Sequence, residues 1–355
     1  MNDNCKFEVT LDHQILEEVC ILSDDYPNLY NIFTQESRFV LDISEEDLVN
    51  LIDDTESDLS RIIVGFDIDY QRWGGAVEYF KTNPEEMLNH PRSLYVLDVD
   101  DGTAMNLSEK YGMLVLSRDN LDDNVFNKGV FRLRIDKEDI VNDAVTNAWG
   151  HVLNGLEMLP SNSMVISDSY LFHAHNITLD DSVKNIQSIL DKLLPIDMEC
   201  EYHVLFCTED PNKTSQEINK AVGDIKSFIR ARRRYNVVIE YVICSNCQHQ
   251  RTIISNYNVI TFDKGIITFK GIGKKGIPCK AIDTNKVYCS TIFQNAYDSH
   301  GMSEFQIATK DLKDTKKWYK NCQELCNSDC HDSSRRILGT NNHNKELNNR
   351  IIKYL

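Results

Sequence analysis

Apolar positions in the second half of the chain change period in a regular order. Met164-Val165-Ile166 is a continuous apolar run that stops at Ser167-Asp168-Ser169-Tyr170, which predicts a buried strand entering a turn. From Asp181 to Leu194 the residues Val183, Ile186, Ile189, Leu190, Leu193 and Leu194 recur at helical spacing, and Pro195 closes the run. Tyr202 to Cys207 reads as a second strand. Ser215 to Arg232 reads as a second helix, with Ile218, Val222, Ile225, Phe228 and Ile229 on one face, and Asn236 to Ile243 as a third strand. The order strand, helix, strand, helix, strand predicts a parallel sheet with right-handed crossovers.

Two β-rich runs follow, Arg251 to Phe262 and Ile266 to Lys270. Asp263-Lys264-Gly265 between them is a hairpin signal. A further helix is predicted from Asp311 to Cys326, and the Asn-rich end from Gly339 reads as a frayed or docking tail.

In the first half the strand candidates are Phe7 to Asp12, Phe39 to Asp42, Ile62 to Asp67, Leu94 to Asp98 and Met113 to Ser117. Helices are expected at Glu45 to Ile52, Ala76 to Phe80 and Gly102 to Lys110. Leu159-Pro160-Ser161-Asn162-Ser163 interrupts the two periodic regions and predicts a linker. The expectation is an α/β protein of two domains: 1–160 acidic α/β, 161–300 a second α/β domain, and 301–355 a helical extension and tail.

With 41% apolar and 26% charged residues, the composition is that of a soluble globular protein. The start MNDNCKFEVTLDHQILEEVC is acidic and lacks the pattern of a signal peptide. No apolar run approaches the roughly 18 residues of a membrane span, and eleven irregularly spaced cysteines read mostly as reduced thiols. A cytoplasmic location follows as an expectation.

Charge divides the chain. Residues 1–160 hold 33 Asp and Glu against 12 Lys and Arg, a balance of −21, whereas residues 161–355 hold 22 against 26, a balance of +4. A polyanion would therefore approach the second half.

Directly after the third strand of that half stands Gln248-His249-Gln250-Arg251-Thr252-Ile253-Ile254-Ser255-Asn256. A His, a cation two residues on and an amide seven residues on have the spacing of the phospholipase D superfamily motif, His-x-Lys-x4-Asp. The preceding β/α/β/α/β run and the turn residue Gly265 extend the resemblance to residues 164–270. It implies a phospholipase-D-like α/β sandwich in which His249, Arg251 and Asn256 stand where the family has its catalytic residues. In that family the His attacks phosphorus, the Lys neutralises phosphate oxygens, and the Asp orients an imidazole. Two motif copies normally meet across a two-fold, so the resemblance implies a homodimer.

Arg251 keeps the charge and can grip a phosphate with two donors. Asn256 lacks the charge of a carboxylate, which favours holding a phosphate over hydrolysing it. Lys264 and Lys270 are further phosphate-binding candidates. The alternative for His249 and Arg251 is a solvated pair on an edge strand, bridged to Glu240 or Asp263. His173-x-His175-x4-Asp180 repeats the motif's spacing but follows the first strand, and Asp180 there is equally a helix cap.

Cys244-Ser245-Asn246-Cys247 has half of a zinc pattern, with His249, Cys279 and Cys289 as possible partners. Cys322, Cys326 and Cys330 recur every fourth position before His331, more in the manner of a buried helix face than of a metal site. Arg230, Arg232, Arg233 and Arg234 close the second helix, where cations suit the dipole, and with Lys264, Lys270, Lys274 and Lys275 they would alternatively line a polyanion groove. Gly271 to Gly276 has the glycines of a phosphate loop without an evident helix behind it.

In the acidic half, Asp12 ends the first strand, and Asp100-Asp101-Gly102 leads through Met113 to Ser117 into Arg118-Asp119. This looks like a PIN-type nuclease, and the resemblance implies a Mg²⁺ or Mn²⁺ site at Asp12, Asp101 and Asp119, with Asp42 or Glu45 as a further acid. Solvated acidic surface is the other reading. The functional expectation is a nucleic-acid-processing or nucleic-acid-sensing effector, as in bacterial defence systems that pair such domains. The alternatives are a non-catalytic interaction or dimerisation module and a phosphodiesterase working through His249.

Overall fold

The computed structural model describes residues 6–35, 37–53, 57–138, 140–143, 147–173, 177–244, 250–294, 301–327, 335–340 and 343–355. The chain is an α/β protein.

The first sheet contains β1 (Phe7–Asp12), β2 (Ser37–Asp42), β3 (Asp69–Arg72), β4 (Ser93–Leu97) and β5 (Leu114–Ser117), all parallel, in the order β3-β2-β1-β4-β5. Between them run α1 (His13–Ile21), α2 (Pro27–Gln35), α3 (Glu45–Asp53), α4 (Asp58–Gly65), α5 (Ala76–Thr82) and α6 (Asp101–Tyr111). The strand predicted at Ile62 to Asp67 is instead mostly α4. Ser57 caps that helix, and Leu59 and Ile62 bury one face three residues apart while Val64 stays exposed.

After β6 (Phe131–Ile135), β7 (Ile140–Asp143) and α7 (Ala148–Val152) come the predicted alternating elements: β8 (Ser163–Asp168), α8 (Leu179–Leu193), β9 (Tyr202–Thr208), α9 (Ser215–Arg230) and β10 (Val237–Ile243). Strands β8, β9 and β10 are parallel. Thr178 caps α8, and Thr214 with Glu217 forms a capping box on α9.

The strands β11 (Arg251–Ser255), β12 (Asn258–Phe262), β13 (Phe269–Lys270), β14 (Pro278–Ala281), β15 (Asn285–Thr291) and β16 (Arg336–Leu338) complete the sheets. The large sheet has the order β16-β10-β9-β8-β11-β12-β15-β6, and a smaller one runs β13-β14-β7. The hairpin turn falls at Asn256-Tyr257, between β11 and β12, rather than at Asp263 to Gly265. The predicted last helix extends over α10 (Glu304–Asn327), and α11 (Arg350–Lys353) follows it.

Alternation on the central strands sets both faces of the large sheet. Met164 and Ile166 of β8 and Val204 and Phe206 of β9 pack with Ile186 and Ile189 of α8 and with Ile218 and Ile225 of α9. Val165, Leu205 and Val242 point the other way, into a core shared with Val9 and Leu11 of the first sheet, Leu312 of α10 and Ile351 of α11. The two sheets therefore share one core. The predicted linker lies inside it: Leu159, Ser161 and Asn162 are buried, and β6, counted by sequence with the acidic half, pairs with β15 of the large sheet.

Among the described residues no helix is long and apolar enough to cross a membrane.

Candidate functional site

In open sheets with parallel strands, ligands bind beyond the carboxyl ends of the strands, where turns leave side chains and backbone N–H groups unpaired. On the large sheet that edge carries Asp168 at the end of β8, Thr208 at the end of β9, and Arg251 at the start of antiparallel β11, directly opposite Asp168 in the register.

Asp168 is 2% exposed. Its Oδ1 accepts from the Tyr170 N–H (2.9 Å) and its Oδ2 from the Ile266 N–H (2.7 Å). Burial pushes its carboxyl up from the usual range, and those two N–H groups and the Arg251 guanidinium pull the other way. Gly265 makes the approach possible. Its φ is +95°, and a Cβ there would lie 2.5 Å from Asp168 Oδ2. Gly265→Ala is thus expected to cost about 2–3 kcal/mol by chemical denaturation, from left-handed strain and displacement of the carboxylate together.

Arg251 donates from Nη1 to the carbonyl of Asp263, and its guanidinium carbon stands 5.6 Å from the centroid of the Tyr170 ring. Its Nε is buried and has no partner among the described residues. The ring of His173 lies 5.2 Å from that of Tyr170, and its Nδ1 is likewise buried without a described partner. Burial lowers the His173 pKa, with Glu209 and Asp210 opposing. Arg336 of β16 closes the edge through Asp210, at 2.8 Å. Unsatisfied donors around a partly desolvated cation are suited to a phosphate oxygen.

His249 lies outside the described residues, as do His175 and Cys247. Asn256 does not belong to this edge. It opens the turn after β11, five residues beyond Arg251 and roughly 17 Å along an extended chain, and it is fully buried. There Oδ1 accepts from the N–H groups of Asn162 (3.0 Å) and Ser163 (3.1 Å), and Nδ2 donates to the carbonyl of Pro91. The amide ties the start of β8 to the loop before β4. Its neighbour Tyr257 adds a second tie, donating to the Ser93 carbonyl (2.7 Å) and accepting from Leu114 N–H (3.0 Å).

Lys264 is exposed in the turn whose Asp263 carbonyl receives Arg251, so it stands near the site. Lys270 lies on β13 in the smaller sheet. The glycine-rich loop after it already holds a carboxylate: Gly271 N–H and Lys274 Nζ both donate to Asp181 Oδ1, at 3.2 and 2.9 Å. Of the basic run, Arg233 is buried and donates to Asp191 and to the Leu194 carbonyl. Arg232 lies over Phe228, and Arg234 pairs with Asp197.

On the first sheet, Asp12, Asp42, Asp101 and Asp119 all sit near the carboxyl ends of strands. Among the described residues, however, no group of three or more His, Cys, Asp or Glu is arranged to hold a metal ion. Asp12 caps α1 through Gln14 N–H and faces Arg118 at 3.7 Å. Asp42 accepts from Gly75 N–H (2.6 Å) and Val77 N–H (2.9 Å), and Asp101 accepts from Asn120 (2.7 Å). Asp12 is thus engaged by a helix N-terminus and a guanidinium, and Asp101 by a side-chain amide.

Cys279 and Cys289 lie on β14 and β15. Cys244 instead lies near Cys322 and Cys326 of α10, where burial and the two neighbouring thiols push the Cys322 thiol up. Cys330 and His331 are outside the described residues.

Sequence reading missed Asp168, Tyr170 and Arg336 as site residues. The available signal was a buried apolar run ending on Ser-Asp-Ser-Tyr, which reads equally well as an ordinary turn. No family model matches this chain, and no curated protein is significantly similar to it.

Proposed function

We propose that this chain is a nucleic-acid-processing or nucleic-acid-sensing protein that holds a phosphate at the Arg251 edge of its large sheet. The observation that carries this is the Arg251 Nε, buried and without a partner among the described residues, whose guanidinium faces the Tyr170 ring that His173 also meets. A guanidinium next to an imidazole and an aromatic ring suits a nucleotide, whose phosphate takes the charge and whose base takes the ring.

The resemblance to phospholipase D proteins supports the same ligand. Its strand and helix order agrees with β8 through β11, and the motif's cation falls on the first residue of β11. Holding is favoured over rapid hydrolysis, because Asn256, the motif's third residue, is bound to Pro91 and Asn162 at the far end of the strand.

The test is binding and cleavage of single- and double-stranded DNA and RNA, with Mn²⁺ or with EDTA, by the wild type and by Arg251→Ala, His249→Ala and Asp119→Ala. Metal-independent binding at low salt, weakened at least about tenfold by Arg251→Ala, is expected, a loss of about 1.4 kcal/mol or more. No binding at low salt, or Arg251→Ala binding as tightly as wild type, overturns the reading. Metal-dependent cleavage lost only in Asp119→Ala moves the activity to the first sheet and overturns it as well.

A further inference from the structure

We infer that the exposed face of β6 and β15 is a docking surface for single-stranded nucleic acid. The inference rests on the nucleic-acid reading above for the class of ligand, but on different residues.

Strand β6 is the outer edge of the large sheet, and its register with β15 sets Arg134 opposite Lys286 and Arg132 opposite Tyr288. Paired residues in a sheet share a face, as do residues two apart on one strand. All four side chains therefore project from one side, opposite to Val287, which enters the core with α8 and α9. Arg132, Arg134 and Lys286 are exposed and Tyr288 is half-buried. They line a depression of about 460 Å³ with Leu133 and Val287.

Charge argues for the occupant. Residues 128–137 hold Lys128, Arg132, Arg134 and Lys137 against the single acid Asp136, inside a half of the chain that is otherwise strongly acidic. Arg134 pairs with Asp136 at 2.7 Å and Lys137 acts on the adjoining Glu138, whereas Arg132 and Lys286 have no carboxylate partner among the described residues. A concentration of cations that a protein of net charge −17 leaves unneutralised is complementary to a polyanion.

Geometry argues for a single strand. The Arg132 guanidinium lies over the Tyr288 ring, 5.1 Å from its centroid, so the planar cation is held on the ring and presents its own outer face for an unpaired base to stack on. Thr261 opposite Tyr288, and Thr252 opposite Thr261, continue the row inward without negative charge. A duplex hides its base faces and gains nothing from such a platform. An acidic peptide would use the cations but not the stack.

The experiment titrates full-length protein into fluorescein-labelled dT15, into a 15-base-pair duplex, and into thymidine 5′-monophosphate. Wild type is compared with the double variant Arg132→Ala/Lys286→Ala and with Arg251→Ala. Both residues of the double variant are exposed, so an unchanged thermal melt is the fold control.

Expected is a fall of at least tenfold in dT15 affinity for the double variant, a log–log salt slope shallower by about 1.4, and unchanged monophosphate binding. Arg251→Ala is expected to weaken both ligands. Unchanged dT15 binding in the double variant, tighter binding of the duplex than of dT15, or displacement of dT15 by polyglutamate at equal charge overturns the inference. If monophosphate still binds, the Arg251 site survives that failure. If neither ligand binds the wild type, both readings fall.

Discussion

Replacing Glu240 by alanine is expected to release the C-terminal segment and to lower stability by about 3–5 kcal/mol. Glu240 sits mid-strand on β10 and is completely buried. Its Oε1 accepts from the Asn348 N–H (2.9 Å) and Nδ2 (2.9 Å), and its Oε2 from the N–H groups of Asn348 (3.0 Å) and Asn349 (3.1 Å). Asn349 in turn donates to the carbonyl of Met164 (2.9 Å), and Ile351 and Ile352 of α11 bury behind it. The alanine variant strands these donors in the interior, each at a cost of order 1–3 kcal/mol unless the segment lets go.

Urea denaturation measures the loss, and a chain ended after Gly339 supplies the second corner of a mutant cycle. Glu240→Ala is expected to cost little more once the tail is gone, whereas additive losses would mean the carboxylate and the tail act independently. Burial raises the Glu240 carboxyl, with the Asn348 and Asn349 groups opposing. Because the folded pKa lies above the unfolded one, this group's contribution is greatest below the usual carboxylate range and declines as pH rises through the raised value. Glu240→Gln keeps one acceptor but turns an amide NH2 toward N–H donors, so it is expected to recover only part of the alanine loss.

Asn256→Asp gives the residue type of the phospholipase D motif, yet it is expected to cost about 2–4 kcal/mol and to create no cleavage activity. Asn256 Nδ2 donates to the Pro91 carbonyl and lies 3.3 Å from Asn162 Oδ1. A carboxylate would turn both contacts into repulsions between oxygens in a fully buried setting. Urea midpoints for the variant, with phosphodiester cleavage assayed alongside, check both parts. A variant as stable as wild type that gains EDTA-resistant cleavage would mean that position 256 serves the phosphate site after all.

The elements from β8 to β10 were legible because local signals agreed. Helical spacing over Val183 to Leu194 and the proline stop at 195 both concern neighbouring residues. What escaped depended on partners far along the chain. Nothing in Phe131 to Ile135 says that its strand will pair with Asn285 to Thr291, more than 140 positions on. The apolar stretch Ile62-Ile63-Val64 has strand-forming residues, and only burial of Leu59 and Ile62 on one side makes it a helix.

The candidate site divides along the same line. Arg251 was visible because its motif is local, and His173 because the motif's spacing recurs there. The contact of His173 with Tyr170 is local too, but that Arg251 meets the same ring is a consequence of β11 folding back on β8. Asn256 shows the converse, since a buried amide that ties two sheets together looks in sequence the same as one that serves a ligand. The carboxylates of the first half are ambiguous in sequence for a related reason. Strand-end acids are as useful for capping helices, as Asp12 and Asp42 do, as for holding a metal.

A crystal structure of the full chain grown with thymidine 5′-monophosphate tests the phosphate site at Arg251 most directly. Phosphate density within hydrogen-bonding distance of the Arg251 guanidinium, on the His173 side of Tyr170, is the expected result. Nucleotide bound instead among Asp12, Asp101 and Asp119, or an Arg251 edge left empty under saturating ligand, would contradict it.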